Sequence, residues 1–292
     1  RTSWKSERIR CVQIININEL YVGTSNGFIR YNISNNESTI HTHDKSNPLS
    51  INHDFILKIF KDSKDRVWIG TYGGGLILFD EKTNSFKHWT IEDGLCNNFI
   101  CNILEGNDGN LWLSTSDGLS CFNPEKDDFA NFHYRDGLQD DKFSIGAGIN
   151  WDENKILIGG INGYNSFIPK DIQVNSFAPP LHFIDFRIFN ESVDFNDKKA
   201  PFDKHISRLK QINLDYNENT ITIEFAALNY IQSENNMISF YMEGVDKSWS
   251  IPDNITKASY TNLSPGEYNF RVKAANNHGA WNTKELNLLI EI

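Results

Sequence analysis

The chain has 292 residues, of which 39% are hydrophobic and 23% are charged, which is typical of about two globular domains. Its 28 basic and 38 acidic residues give a net charge of −10. This argues against nucleic acid as a partner, because there is no basic stripe to displace phosphate counterions. No apolar run approaches the roughly 18 residues that would cross a bilayer. The chain starts at Arg1 rather than Met, and we interpret it as part of a longer protein.

Four segments repeat with a period of about 45 residues, which is the size of one four-stranded propeller blade. Gly23, Gly70, Ser114 and Gly159 occupy the equivalent position in each segment. The fourth copy departs from the pattern, because Leu157 replaces the repeated Trp. The aligned segments are Leu20–Asn32, Val67–Asp80, Leu111–Asn123 and Ile156–Ile168.

The second repeat shows the expected order of strands and turns within one blade. Four short apolar runs alternate with polar or glycine-rich turns, such as Gly73–Gly75. We therefore predict that residues 1–170 form β-propeller blades that belong to a larger propeller. The predicted strands of this repeat are Phe55–Phe60, Val67–Thr71, Leu76–Phe79 and Ser85–Thr90.

The pattern changes after residue 170, and the predicted fold class is all-β throughout. Residues 171–180 read as a linker, in which Pro179 and Pro180 favour an extended backbone. Residues 181–292 contain short strands separated by turns, which is typical of a fibronectin-III-like or immunoglobulin-like β-sandwich. Within Leu263–Tyr268, Pro265-Gly266 followed by Tyr268 predicts a tyrosine corner.

The amino-acid sequence of the C-terminal region closely resembles that of the three-tyrosine (Y_Y_Y) domain of bacterial two-component sensors. Tyr241, Tyr260 and Tyr268 stand at the tyrosine positions, accompanied by Trp249 and Trp281. The upstream repeats resemble the regulator-propeller repeat of the same proteins, which reads roughly L-W-I-G-T and then G-G-L. The resemblance covers nearly the whole chain.

The resemblance implies the periplasmic region of a hybrid two-component sensor histidine kinase. In such proteins a transmembrane helix follows, leading to a cytoplasmic kinase, a receiver and a DNA-binding module. The implied ligand is an oligosaccharide released during glycan breakdown, and the implied output is control of glycan-utilisation genes. The sandwich would pair in a homodimer, and a hinge within Pro169–Pro180 would transmit the ligand's effect to the chain ends beyond Ile292.

Two alternatives to a sensor remain open, namely a propeller-fold carbohydrate-active enzyme and a pure dimerisation scaffold. We expect no catalysis, because the acidic residues lie mainly in turns and no serine triad, P-loop or zinc-protease motif is found. Trp68 and Trp112 are interpreted as packing residues. Tyr241 and Tyr260 either fill strand faces or lie at a pairing surface. The candidate ligand residues, all at strand ends or in loops, are Tyr72, His88, Trp89, Arg135 and Trp151.

Neither a cofactor nor a metal is predicted. His41 and His43 could share a strand face, but two ligands without a third make a poor site, and a solvated strand edge is the preferred interpretation. The four cysteines show no metal-binding spacing, and Cys101 and Cys121 read as buried free thiols, although an exported protein could form a disulfide.

Overall fold

In the computed structural model, residues 8–152, 154–198, 200–229 and 233–292 are described. The chain divides into two compact units, one ending at Val174 and the other starting at Asn175. Almost all regular structure is β, which confirms the predicted fold class. The described helices are short 3-10 turns, none long or apolar enough to cross a membrane.

The first unit contains four sheets in sequence order, each an antiparallel meander of consecutive strands. We call them the first to fourth blades. The first blade is β1 (Ile9–Asn16), β2 (Glu19–Thr24), β3 (Gly27–Asn32) and β4 (Glu37–His41), and the second is β5 (Ile56–Lys61), β6 (Val67–Thr71), β7 (Leu76–Asp80) and β8 (Ser85–Trp89). The third is β9 (Ile100–Glu105), β10 (Leu111–Thr115), β11 (Leu119–Asn123) and β12 (Asp128–Phe132), and the fourth has three strands, β13 (Phe143–Asn150), β14 (Ile156–Gly160) and β15 (Gly163–Phe167). The 3-10 turns of this unit are Ile91–Asp93, Tyr134–Asp136 and Pro169–Asp171.

The repeated glycine of the second strand is required where the next blade packs. A Cβ atom at Gly70 would lie 2.7 Å from a side-chain carbon of Ile100, and one at Gly23 would lie 2.6 Å from Ile56. Because Ile56 and Ile100 begin the first strand of the following blade, glycine permits the close approach of neighbouring sheets.

The same hydrogen bonds recur at three blade junctions. In each, a glycine at the start of the third strand, or just before it, donates its N–H to the carbonyl of an Asp or Asn that precedes the next blade. The side chain of that Asp or Asn accepts a backbone N–H from the turn after the fourth strand, at 2.6–2.9 Å. We call this set the junction frame. Its Asp or Asn is Asp54, Asn98 and Asp141 in the three junctions.

The second unit is a two-sheet sandwich whose sheets bury one shared apolar core. One sheet has the order β17-β16-β19-β21, and the other has the order β18-β23-β22-β20 with β18 parallel to β23. Its strands are β16 (Leu181–Ile188), β17 (Glu191–Ser192), β18 (Gln211–Asn213), β19 (Ile221–Ala227), β20 (Met237–Glu243), β21 (Lys257–Tyr260), β22 (Glu267–Ala275) and β23 (Leu286–Glu291), with 3-10 turns at Ile206–Arg208 and Ser233–Asn235.

The segment predicted as a linker and hinge is ordered on both sides. Pro169 is buried and Ile172 packs against the core of the third and fourth blades. On the other side, the Asn276 side chain donates to the carbonyls of Asn175 and Phe177 at 2.7 and 2.9 Å. Ile172 is therefore held to the first unit, and Asn175 and Phe177 are held to the second, while a hinge within Pro169–Pro180 stays a prediction.

Candidate ligand-binding surface

Three aromatic side chains and one arginine form a continuous, partly exposed patch across the first three blades. The Tyr72 ring lies 5.2 Å from the Phe55 ring and 4.5 Å from the Phe99 ring, measured between centroids. The Arg10 guanidinium lies over Phe55 at 4.7 Å. Tyr72 is 51% exposed, and the two phenylalanines are half-buried. We call Arg10, Phe55, Tyr72 and Phe99 the aromatic surface.

The backbone fixes this arrangement at the edge of the blades. Tyr72 directly follows β6, and its N–H donates to the carbonyl of Phe55, the residue just before β5. Tyr72 also forms an isolated antiparallel bridge with Phe99, which directly precedes β9. Phe55, Tyr72 and Phe99 therefore meet where β5 begins, β6 ends and β9 begins.

The chemistry of the aromatic surface suits an amphipathic ligand. An exposed phenol presents both a ring face and a hydroxyl, and the adjacent guanidinium supplies several hydrogen-bond donors. Aromatic faces accept the C–H groups of a sugar ring, whereas guanidinium groups bind hydroxyls or carboxylates. The patch is open rather than enclosed, so it fits an extended ligand better than a small buried one.

Trp89, predicted as a ligand residue, belongs to the core instead. It is 5% exposed, its ring packs 5.6 Å from Trp68, and its indole N–H donates to Asp127 at 2.5 Å. Its position at a strand end suggested access to solvent, but the ring faces inward between the second and third blades. A ligand has no access to its ring faces.

His88 has a structural partner as well. Its Nε2 lies 2.9 Å from the carbonyl oxygen of Ser50, and burial lowers the pKa of the imidazole below its ordinary value. In the next blade the Asn131 amide donates to the Gly94 carbonyl in the corresponding place. His88 thus serves a repeated side-chain-to-turn contact.

Arg135 and Trp151 lie at opposite ends of β13, with Arg135 before the strand and Trp151 after it. Arg135 is exposed in the 3-10 turn after β12. Trp151 is 68% exposed in the hairpin between β13 and β14, where its N–H donates to Lys155. Trp151 follows the first strand of its blade, whereas Tyr72 follows the second strand, which runs in the opposite direction. The two residues therefore lie at opposite ends of the blade strands and do not belong to one site.

The tyrosines of the sandwich have distinct roles. Tyr268 donates its hydroxyl to the Ser264 carbonyl at 2.7 Å, which is the predicted tyrosine corner. Tyr260 is 8% exposed and donates to Asp246 at 2.8 Å, so it fills the interior and is unavailable for a pairing surface. Tyr241 lies half-buried against Trp249, with ring centroids 5.8 Å apart.

Two further aromatic residues of the sandwich take part in a cation–π ladder. The Lys273 ammonium lies 4.6 Å from the centroid of Trp249 and 5.2 Å from that of Trp281, and the Arg271 guanidinium lies 5.3 Å from Trp249. Arg271 is held in place by Glu243 and Glu285 at 2.9 and 2.7 Å. The ladder lies on the face of the β20–β22 pair that points away from the core, because the alternate residues Phe270 and Val272 are in the core.

His41 and His43 have different surroundings. The His41 ring packs on Phe28, Phe79 and Phe86, at centroid distances of 5.4–5.8 Å, so the interpretation of a solvated strand edge is wrong for His41, whereas His43 is exposed. His43 lies beyond the end of β4 and contacts the Ile51 carbonyl through Nδ1 at 2.9 Å.

All four cysteines are free thiols, and burial raises the pKa of Cys101 to about 12.

Arg10, Phe55 and Phe99 are the members of the aromatic surface that sequence reasoning missed. Phe55 and Phe99 each follow the Asp or Asn of a junction frame, at Asp54 and Asn98. Aligning the repeats one strand further upstream would have placed both rings at one edge beside Tyr72. Arg10 carries no comparable repeat signal.

Comparison with known proteins finds two family matches in this chain. The model of the two component regulator propeller matches residues 50–73 and 94–117, and the model of the Y_Y_Y domain matches residues 229–292. Residues 230–232 of the latter match lie outside the described residues. The chain is 31% identical to histidine kinase P4 of Formosa agariphila over 94% of the chain, and the match spans 23% of that kinase.

Two solved structures from B. thetaiotaomicron are also similar. One is the extracellular domain of a putative hybrid two component system, at 22% identity and a TM-score of 0.44, covering 98% of this chain and 44% of the other. The second is the extracellular domain of a putative one component system, at 20% identity and a TM-score of 0.38, covering 98% and 49%. The chain thus carries repeats that match the two component regulator propeller, followed by a segment that matches the Y_Y_Y domain.

Proposed function

We propose that this chain is the extracytoplasmic ligand-sensing and relay region of a hybrid two-component sensor histidine kinase, located in the periplasm. The domain pair and the similarity to a histidine kinase support this role. The fragment itself performs no catalysis, and phosphoryl transfer belongs to cytoplasmic modules of the longer protein.

The ligand is an oligosaccharide, and the aromatic surface is its contact site within this chain. The observation that carries this assignment is Tyr72, which is 51% exposed while its ring rests on Phe55 and Phe99. Half of a large aromatic side chain is left open to solvent at a position fixed by the backbone, so the ring is preorganised for stacking. Binding of such a ligand controls the expression of glycan-utilisation genes.

Calorimetric titration of the 292-residue chain with a panel of oligosaccharides tests the assignment, with mass spectrometry of each sugar afterwards. We expect one or more sugars to bind intact and Tyr72→Ala to weaken binding at least about tenfold, a loss of about 1.4 kcal/mol. The matched control is Tyr216→Ala, which removes a tyrosine that is 79% exposed on the sandwich. Cleavage of the sugar, or equal binding by both variants, would contradict the proposal.

Relay follows from a shift between conformations that the ligand binds unequally. We infer that the sandwich pairs in a homodimer, so that ligand binding alters the spacing of the two chain ends. Tyr241 and the Trp249–Lys273–Trp281 ladder are its partly exposed aromatic candidates. Light scattering of the chain and of Trp249→Ala, with and without the bound sugar, tests this pairing. A monomer under every condition would contradict it.

A further inference from the structure

Three potential metal ligands converge at the junction between the third and fourth blades. One ligand atom from each of Asp117, His133 and Asp141 lies within 4.8 Å of the other two. They come from three separate segments, namely the turn after β10, the residue after β12 and the residue two positions before β13. His133 and Asp141 are half-buried, and Asp117 is exposed.

The junction frame does not require this set of side chains. The Thr at the end of the second strand accepts the N–H of Asn26, Gly74 or Asp117 in the three junctions, so these residues are structurally equivalent. His133 directly follows the fourth strand, as Thr42 and Thr90 do in the other junctions. Asp141 accepts the same backbone N–H as Asp54 and Asn98 do.

The other two junctions therefore hold the same backbone arrangement without the three ligands of the last one. An amide suffices at Asn98, which means that the frame needs an acceptor oxygen there but not a charge. Thr90 and His133 are both the N-cap of the 3-10 turn that follows, so a threonine can fill the position at which His133 stands. Asp117 has a glycine as one of its equivalents. Of the three junctions, only the last one combines carboxylates at the positions of Asp117 and Asp141 with an imidazole at the position of His133.

The spacing of two of these groups fits a tetrahedral cation. His133 Nδ1 and Asp141 Oδ1 are 3.5 Å apart, which is longer than a well-formed hydrogen bond. Zinc binds His nitrogen and carboxylate oxygen at about 2.0–2.2 Å, which places two ligands of a tetrahedron about 3.4 Å apart. The observed distance is close to that value, so a bound ion would need only a small adjustment of these two side chains.

We propose that Asp117, His133 and Asp141 form a binding site for a divalent transition metal of the zinc type. Three protein ligands hold the ion, and the exposed side of Asp117 leaves the fourth position to water. Imidazole in the set favours Zn²⁺ over Ca²⁺ and Mg²⁺, which take oxygen ligands. The ion would join the hairpin of the third blade to the segment that leads into the fourth.

Titration calorimetry of the metal-free 292-residue chain with ZnCl₂ at neutral pH tests the site. We expect one equivalent of Zn²⁺ to bind and Ca²⁺ to give no comparable heat. His133→Thr and Asp117→Asn should each weaken Zn²⁺ binding by at least about 100-fold, because two remaining ligands make a poor site. Asp54→Asn, at the place of Asp141 in the first junction, is the matched control and should bind as the parent chain does.

The variants are chosen so that a loss of Zn²⁺ binding can be distinguished from a loss of folding. His133→Thr installs the residue that the chain itself uses at Thr42 and Thr90, and Asp117→Asn installs the residue at Asn26. Both variants should unfold at the parent temperature without metal, and only the parent and Asp54→Asn should gain stability on adding Zn²⁺. Absence of one-equivalent binding, or binding that survives both variants, would overturn the proposal.

Discussion

Trp68 donates its indole N–H to the Asp62 carboxylate at 2.9 Å, and the Asp62 side chain is completely buried. The same carboxylate accepts Arg66 Nε at 2.6 Å and the backbone N–H groups of Lys64 and Arg66. In the third blade Gly106 stands where Asp62 does, and the Trp112 indole nitrogen has no hydrogen-bond partner among the described residues. One aspartate thus organises a hairpin that the next repeat builds without it.

Asp62→Ala is expected to lower the free energy of unfolding of the propeller unit by about 3 kcal/mol, since it leaves the buried Trp68 indole N–H unpaired and removes the partner of Arg66 Nε. Asp62→Asn should cost less, because the amide oxygen still accepts a hydrogen bond. Chemical unfolding of the two variants measures the difference. Equal losses would show that the charge of Asp62, and not its hydrogen bonding, carries the effect.

Asp62 also sets a pH dependence. Burial by itself would raise its pKa, but hydrogen bonds from Trp68 and Arg66 and the Arg66 charge outweigh burial and lower it below the ordinary 3.8. A lowered folded-state pKa gives stability that is fully present above the unfolded-state value and is lost as the pH falls through the folded-state value. The parent chain should therefore lose this contribution below about pH 4. Asp62→Asn should show a shallower loss in the same acid range.

Gly75 and Gly109 form a matched pair for testing the blade turns. Their φ angles are +76° and +78°, so alanine is strained at both. A Cβ at Gly75 would collide with the carbonyl oxygen of Trp89, whereas one at Gly109 would meet nothing within 4 Å. We expect Gly109→Ala to cost about 1 kcal/mol and Gly75→Ala about 4 kcal/mol or more. Similar unfolding midpoints for the two variants would contradict the assigned backbone contact.

Asn276 should stabilise the sandwich unit more than the tyrosine corner does. Its side chain is fully buried, donates to Asn175 and Phe177, and accepts the N–H groups of His278 and Ala280. Asn276→Ala is expected to cost about 3 kcal/mol, against about 1 kcal/mol for Tyr268→Phe. Hydrogen–deuterium exchange should accelerate across residues 175–180 only in Asn276→Ala. Unchanged exchange there would refute the attachment of this segment.

His41 should make the first blade sensitive to mild acid. Burial, together with the nearby Arg30 charge, lowers the pKa of His41 below its ordinary 6.5. The unfolded chain then binds a proton more readily than the folded one, so stability falls as the pH drops from 6.5 toward the folded-state value. His41→Phe should flatten this part of the profile, because phenylalanine suits the ring cluster of Phe28, Phe79 and Phe86. An unchanged slope between pH 7 and pH 5 would contradict this.

The sequence alone determined the blades, the sandwich and the tyrosine corner. Repeated positions such as Gly23 and Gly70 identify blades because the first and second blades both need room there for the first strand of the following blade. Tyr268 could be assigned from Pro265-Gly266 because its partner, Ser264, is only four residues away. Turn motifs involve residues that are neighbours in the sequence, and internal repeats recur at a regular spacing. Both can therefore be recognised from the sequence without the tertiary structure.

Contacts between distant segments were decided only by the tertiary structure. Trp89 and Tyr72 both read as aromatic residues at strand ends, yet packing between blades buries one and leaves the other half exposed. Asp117 read as an ordinary turn residue, and nothing in its surroundings along the chain pointed to His133. Whether a side chain faces a ligand, a core or another charged group depends on which segments meet across a blade junction, and that is set by packing rather than by local pattern.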